Sequence, residues 1–147
     1  MSHTNQAQFR ERISSAYQLL RGVSEEGSQR PLREGGWSRK EILGHLIDSA
    51  LNNHQRFVRA ALDGSYNRPS YEQEGWVDMH GYRTMAWDAL LEHWRWQNEL
   101  LCAVVERIPE NRLGGQCRVG EDAPVTLRFL IEDYLAHLGH HVQQITE

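Results

Sequence analysis

A chain of 147 residues, 39% hydrophobic and 24% charged, fits one soluble domain with a sizeable core, here residues 1–147. The net charge of −4 and the lack of any Lys/Arg-rich run exclude the electrostatic footprint of a nucleic-acid binder. No apolar run approaches the roughly 20 residues that span a bilayer, and the opening MSHTNQAQFRERI lacks the apolar core of a secretory signal, so a cytoplasmic protein is expected.

Four segments carry helical periodicity. The first, about 4–22, places Phe9, Ile13, Ala16, Tyr17 and Leu20 on one stripe. After a long link, 23–37, the second covers about 38–63. It opens on SRKE, where Ser38 can cap and Glu41 can reach back to form a capping box. Leu43, Ile47, Ala50, Phe57, Val58 and Ala61 form its core face. The link 64–80 holds Tyr66, Tyr71 and Trp76, which are expected to pin the loop to the core rather than cover a ligand.

The third helix, about 82–108, carries Trp87, Leu91, Trp94, Leu101, Val105 and Ile108, and Pro109 stops it. Asn98 falls inside that stripe and needs a hydrogen-bond partner. The link 109–125 precedes a fourth helix, about 126–146, capped by Thr126, with Leu127, Ile131, Leu135, Leu138, Val142 and Ile145 facing inward. Cys102 and Cys117 have no motif spacing, and Cys102 reads as a small buried side chain. No segment alternates with period two. The expected fold class is all-α, a four-helix bundle with long connections that permit crossovers.

Histidines supply the chemistry. His137 and His141 are one turn apart beside the apolar stripe of the fourth helix, a spacing at which two imidazoles can share a metal. Histidines near a helix C-terminus also interact favourably with the macrodipole, by about 0.3–1 kcal/mol each. Periodicity does not choose a third ligand. On the second helix His54 falls inside the apolar arc and is expected to be the more buried. His45 shares a polar stripe with Glu41, Asp48, Asn52 and Arg56 that reads as a solvated face. His80 and His93 are further candidates, His140 points to solvent, and His3 is set aside beside the N-terminus.

The second helix, WSRKEILGHLIDSALNNHQRF, and the terminal DYLAHLGHHVQQI together resemble the DinB/YfiT-like family of metalloenzymes. Trp37 precedes His45 in a W-x7-H-L pattern, and His137-x-x-x-His141 follows in the last helix. The resemblance implies a four-helix bundle with non-sequential helix packing. It also implies a divalent transition metal held by His45, His137 and His141, which overrules the preference for His54. The polar stripe of the second helix would then line a cleft.

Three imidazoles would leave the metal open positions for water and substrate. Imidazole suits zinc, nickel, iron and copper, and manganese is a further candidate. Metal-bound histidines need their second nitrogen oriented, for which Asp48 and Asp133 stand one turn away. Arg56 is a candidate for an anionic substrate, with a salt bridge as its default role. The resemblance further implies transfer of a low-molecular-weight thiol to an electrophilic small molecule. Metal-assisted hydrolysis, a non-catalytic metal- or ligand-binding protein and a purely structural helical module are the alternatives. The tryptophan-bearing third helix leaves room for a homodimer face.

Overall fold

The computed structural model describes the backbone of residues 3–147 and the side chains of residues 6–147, so the His3 side chain lies outside the described residues. The first helix, α1, spans His3–Leu20 and buries Phe9, Ile13, Ala16 and Leu20 as its spacing predicts. Within the first link Ser24 caps a single turn, α2 (Glu25–Ser28), by accepting from the Gly27 N–H. Ser38 and Glu41 close the expected capping box at the start of α3 (Arg39–Asp63). Gly64 ends that helix at φ 84°, a left-handed conformation open to glycine, and donates to the Ala60 carbonyl.

The links are more structured than expected. The second contains a strand, β1 (Tyr66–Arg68), and a two-turn helix, α4 (Gln73–His80). The third contributes β2 (Gln116–Val119) and β3 (Val125–Thr126). β2 pairs parallel with β1, setting Cys117 beside Tyr66, and antiparallel with β3. At two to four residues these strands lie at or below the shortest run over which alternation can be read, so the sheet left little signature in the sequence.

The third long helix, α5 (Trp87–Arg107), begins at the first residue of its apolar stripe rather than near 82. Residues Tyr82–Thr84 form a 3₁₀ turn, and Ala86 is extended. No local side chain caps α5. Glu25 of α2 does so from a distance, accepting the Trp87 N–H at 2.9 Å. Thr126 caps the last helix, α6 (Leu127–Thr146), through the Phe129 N–H.

Packing is non-sequential. Both α1 and α3 pack chiefly on α5 and α6, so the order around the bundle is α1–α5–α3–α6. Phe9, Leu43, Phe57, Trp94, Leu101 and Ile131 fill the interior, each worth roughly 1.5–3 kcal/mol for full burial of a large apolar side chain. Asn98 finds its partners inside that core. It donates to the Trp94 carbonyl at 2.9 Å and accepts from the Tyr134 hydroxyl, tying α5 to α6 across the centre.

The second helix departs most from its amphipathic reading. Every residue from Ile42 to Ala50 is buried, while Val58 and Ala61 of the expected core face are only partly so. The reason is coverage: α3 also meets α4 and the turn behind it. Gly44 makes that contact possible, because a Cβ there would stand 2.0 Å from the Tyr82 ring. Among the described residues no helix is long and apolar enough to cross a membrane.

Candidate metal centre

The adjacency of α3 and α6 brings three imidazoles together. Each of His45, His137 and His141 offers a ring nitrogen within 4.8 Å of the others. The His45 and His137 Nε2 atoms are 3.2 Å apart. A tetrahedral ion with bonds of 2.0–2.1 Å would separate two ligand nitrogens by about 3.3–3.4 Å, so that spacing fits. The rings stand nearly perpendicular, at 79°, 81° and 79°, with centroids 4.5–5.1 Å apart. They converge edge-on rather than stacking.

Burial fixes their charge. His45 is 1% exposed, and the two α6 histidines are half-buried. Desolvation, reinforced by the neighbouring imidazoles, depresses His45 to about 4. Desolvation and then His141 do the same to His137, against the opposing pull of Asp133. His141 is also lowered, chiefly by burial. All three rings are therefore neutral at neutral pH, the form that ligates metals.

Their surroundings include Gln144, which the sequence did not single out, and Trp37 of the W-x7-H pattern. Gln144, on the same helix, accepts from His141 Nδ1 at 2.8 Å, which leaves Nε2 with its lone pair free. The Gln144 amide also meets exposed His140. Trp37 lies against the His45 ring, centroids 5.2 Å apart, giving the W-x7-H spacing a physical role. His45 Nδ1 is buried with no protein partner. An open cleft of about 600 Å³ borders His141 and Gln144, with Trp37, Arg33 and Glu74 in its wall. Glu74 belongs to α4, inside a segment that reads as a link, so the sequence held no signal for it.

The remaining candidates are placed elsewhere. Asp48 is fully buried but does not reach His45. It accepts from the Tyr82 hydroxyl at 2.6 Å and meets His80 Nδ1 at 3.0 Å. Burial raises its pKa, opposed by those two donors. Asp133 is exposed, makes no hydrogen bond to His137 and acts on it through charge alone. Arg56 forms no ion pair among the described residues; it meets Asn53 at 3.4 Å and lies 5.8 Å from the centroid of the Tyr71 ring. His54 is only half-buried, His80 and His93 are exposed, and none of them joins the cluster. Tyr71 and Trp76 pack on each other, and Trp76 on His80; Tyr66 packs against the core.

Helix order and site together define a four-helix bundle with crossed connectivity and a three-histidine cluster between its second and fourth long helices. The chain belongs to the DinB superfamily, whose profile matches residues 8–145. YfiT of Bacillus subtilis, provisionally named a metal-dependent hydrolase, is 26% identical over 122 residues, 80% of this chain and 66% of YfiT. A similarly named protein of Bacillus cereus strain B4264 is 24% identical over 131 residues, 86% of this chain and 73% of its own length. The solved structure of YfiT, described as having an unusual four-helix bundle topology, superposes with a TM-score of 0.84 at 19% identity over 99% of this chain and 86% of that one. A mycothiol-dependent maleylpyruvate isomerase superposes at 0.80 with 15% identity, and this chain spans 61% of it. These structural likenesses show the fold.

Proposed function

We propose that the protein is a divalent-metal-dependent enzyme, with His45, His137 and His141 as ligands and a low-molecular-weight thiol as the incoming nucleophile. The observation that carries the reading is the convergence of three neutral imidazoles, one of which, His141, borders an open cleft. A metal bound there supplies Lewis acidity and lowers the pKa of a coordinated thiol or water.

The chain's own residues would do the rest. Gln144 holds the His141 tautomer, and Trp37 shields His45 from solvent. Glu74, the carboxylate in the cleft wall, would accept the thiol proton. In the transfer, sulfur gives up that proton, bonds to the electrophilic carbon, and the leaving group departs with its electron pair. The protein's thiols are poor candidates for the nucleophile: burial pushes Cys102 up to about 12 and raises Cys117. An external thiol is also the chemistry named for the isomerase of similar fold.

A second reading, metal-assisted hydrolysis, draws on the provisional names of the sequence relatives. One experiment separates the two. Protein purified without a histidine tag is loaded with zinc, nickel or manganese. It is then assayed with 1-chloro-2,4-dinitrobenzene in the presence of cysteine, glutathione or mycothiol, and separately with activated esters and amides lacking thiol. Metal-dependent thioether formation that His45→Ala abolishes supports the first reading; thiol-independent hydrolysis with the same dependence supports the second. Tight metal binding without either reaction would leave a metal-binding protein that is not an enzyme.

A further inference from the structure

A larger concavity than the metal cleft lies between α3 and α5, closed at one end by the turn that follows α4. Its volume is about 1020 Å³, and it shares no lining residue with the cleft. Leu51, Met85, Trp96 and Leu100, which line it, are large apolar side chains left exposed. Two lining residues, Asp48 and Gln97, carry buried oxygens that no protein donor reaches: Asp48 Oδ2 and Gln97 Oε1. The other Asp48 oxygen is already occupied by Tyr82 and His80. Buried acceptors are stable when a donor meets them.

The charge of the wall narrows what that donor is. Asp48, Glu92, His80 and His93 line the groove; Glu92 is engaged by Arg95 and by the Tyr17 hydroxyl, so the carboxylate with an open oxygen is that of Asp48. The exposed Trp96 offers aromatic surface, and it already meets the Arg95 guanidinium 5.2 Å from its centroid. A flat apolar face would suit a second copy of the chain. A concave one with two unmet acceptors, one of them a carboxylate oxygen, suits a small positively charged guest.

We propose that this groove binds a small organic ammonium ion with an apolar or aromatic body. Its N–H groups would donate to Asp48 Oδ2 and Gln97 Oε1, and its body would pack on Leu90, Trp96 and Leu100. The site is independent of the metal centre and does not require the proposed activity. A charge-assisted hydrogen bond to a buried carboxylate is the stronger kind. An amine should therefore outcompete a neutral alcohol of the same shape, and a carboxylate should be rejected.

The test uses the full chain in chelator, so that the histidine cluster holds no metal. Titration calorimetry and tryptophan fluorescence follow 2-phenylethylammonium, 2-phenylethanol and 3-phenylpropionate. The expected result is saturable binding of the amine, about tenfold weaker binding of the alcohol, and none of the carboxylate. Ala89→Trp, at an exposed position in the groove wall, should abolish binding with an unchanged melting curve. Gln97→Leu and Asp48→Asn should each weaken it, and Gln97→Leu keeps the test alive should Asp48→Asn fail to fold. The proposal is overturned by no saturable amine binding, by equal binding of the carboxylate, or by binding that survives Ala89→Trp. It is also overturned if the groove is closed by a second copy, seen as a concentration-dependent dimer that Leu100→Glu dissolves.

Discussion

Two polar clusters sit near the start of α3, about one turn apart, and they are built on opposite principles. In one, the buried Lys40 ammonium meets Glu25 at 2.5 Å, and the same carboxylate accepts from the Trp87 N–H and from Gln29. That cluster is closed: its donors have acceptors, and it joins α2, α3 and the start of α5. The other holds three imidazoles with no carboxylate in hydrogen-bond contact and one buried nitrogen without a protein partner. Closed polar clusters stabilise a fold, whereas convergent uncharged ligands with unmet bonding capacity suit a guest.

The comparison is broken most directly at the ligands. His45→Ala or His137→Ala should lower affinity for zinc by more than the 10–100-fold typical of losing a residue that only orients a ligand. Inductively coupled plasma analysis after dialysis against a weak chelator would read this. The wild-type chain should also gain about 2.7 kcal/mol of stability at a metal concentration 100 times Kd, a gain absent from both variants. Gln144→Leu should cost less, about tenfold in affinity, since it frees the His141 ring without removing it.

The closed cluster should fail differently. Glu25→Gln leaves a buried ammonium facing a neutral amide and weakens the cap of α5. Thermal melts should show a drop of several degrees with zinc affinity untouched. Loss of zinc binding in that variant would mean that the two clusters are not separable.

A final test sharpens the contrast through pH. In the metal-free chain the folded-state values of His45 and His137, near 4, lie below the ordinary 6.5. The unfolded chain therefore binds more protons between those limits, and stability falls as pH drops from about 6.5 towards 4. Glu25, held at about 2 first by Lys40 and then by the Trp87 N–H, against an ordinary 4.5, acts in a lower window. Its contribution is present above 4.5 and lost as pH falls through 2. Urea titrations at a series of pH values should show both slopes. His137→Ala should flatten the upper one and Glu25→Gln the lower.

The legible parts of this molecule were those with local causes. Ser38 with Glu41, Thr126 and Pro109 mark helix boundaries through their own backbone bonding, and the stripe of α1 is buried as spaced. The one-turn spacing of His137 and His141 was equally plain. The choice between His45 and His54 was not. Amphipathic reasoning assumes a helix with water on one side, and α3 near His45 has none, because α4 and Tyr82 cover the polar stripe. Only the W-x7-H resemblance pointed to His45. Glu74, Gln144 and the Glu25 cap of α5 depend on which segments fold over which, and no periodicity encodes that.

The order α1–α5–α3–α6 has a consequence for how the cluster is born. Its first imidazole is synthesised long before the other two, and most of the polypeptide must emerge between them. Until α6 leaves the ribosome, a nascent chain carries one of the three cluster histidines in an incomplete fold. A cation that needs all three imidazoles can then be held only after the last helix has joined the fold.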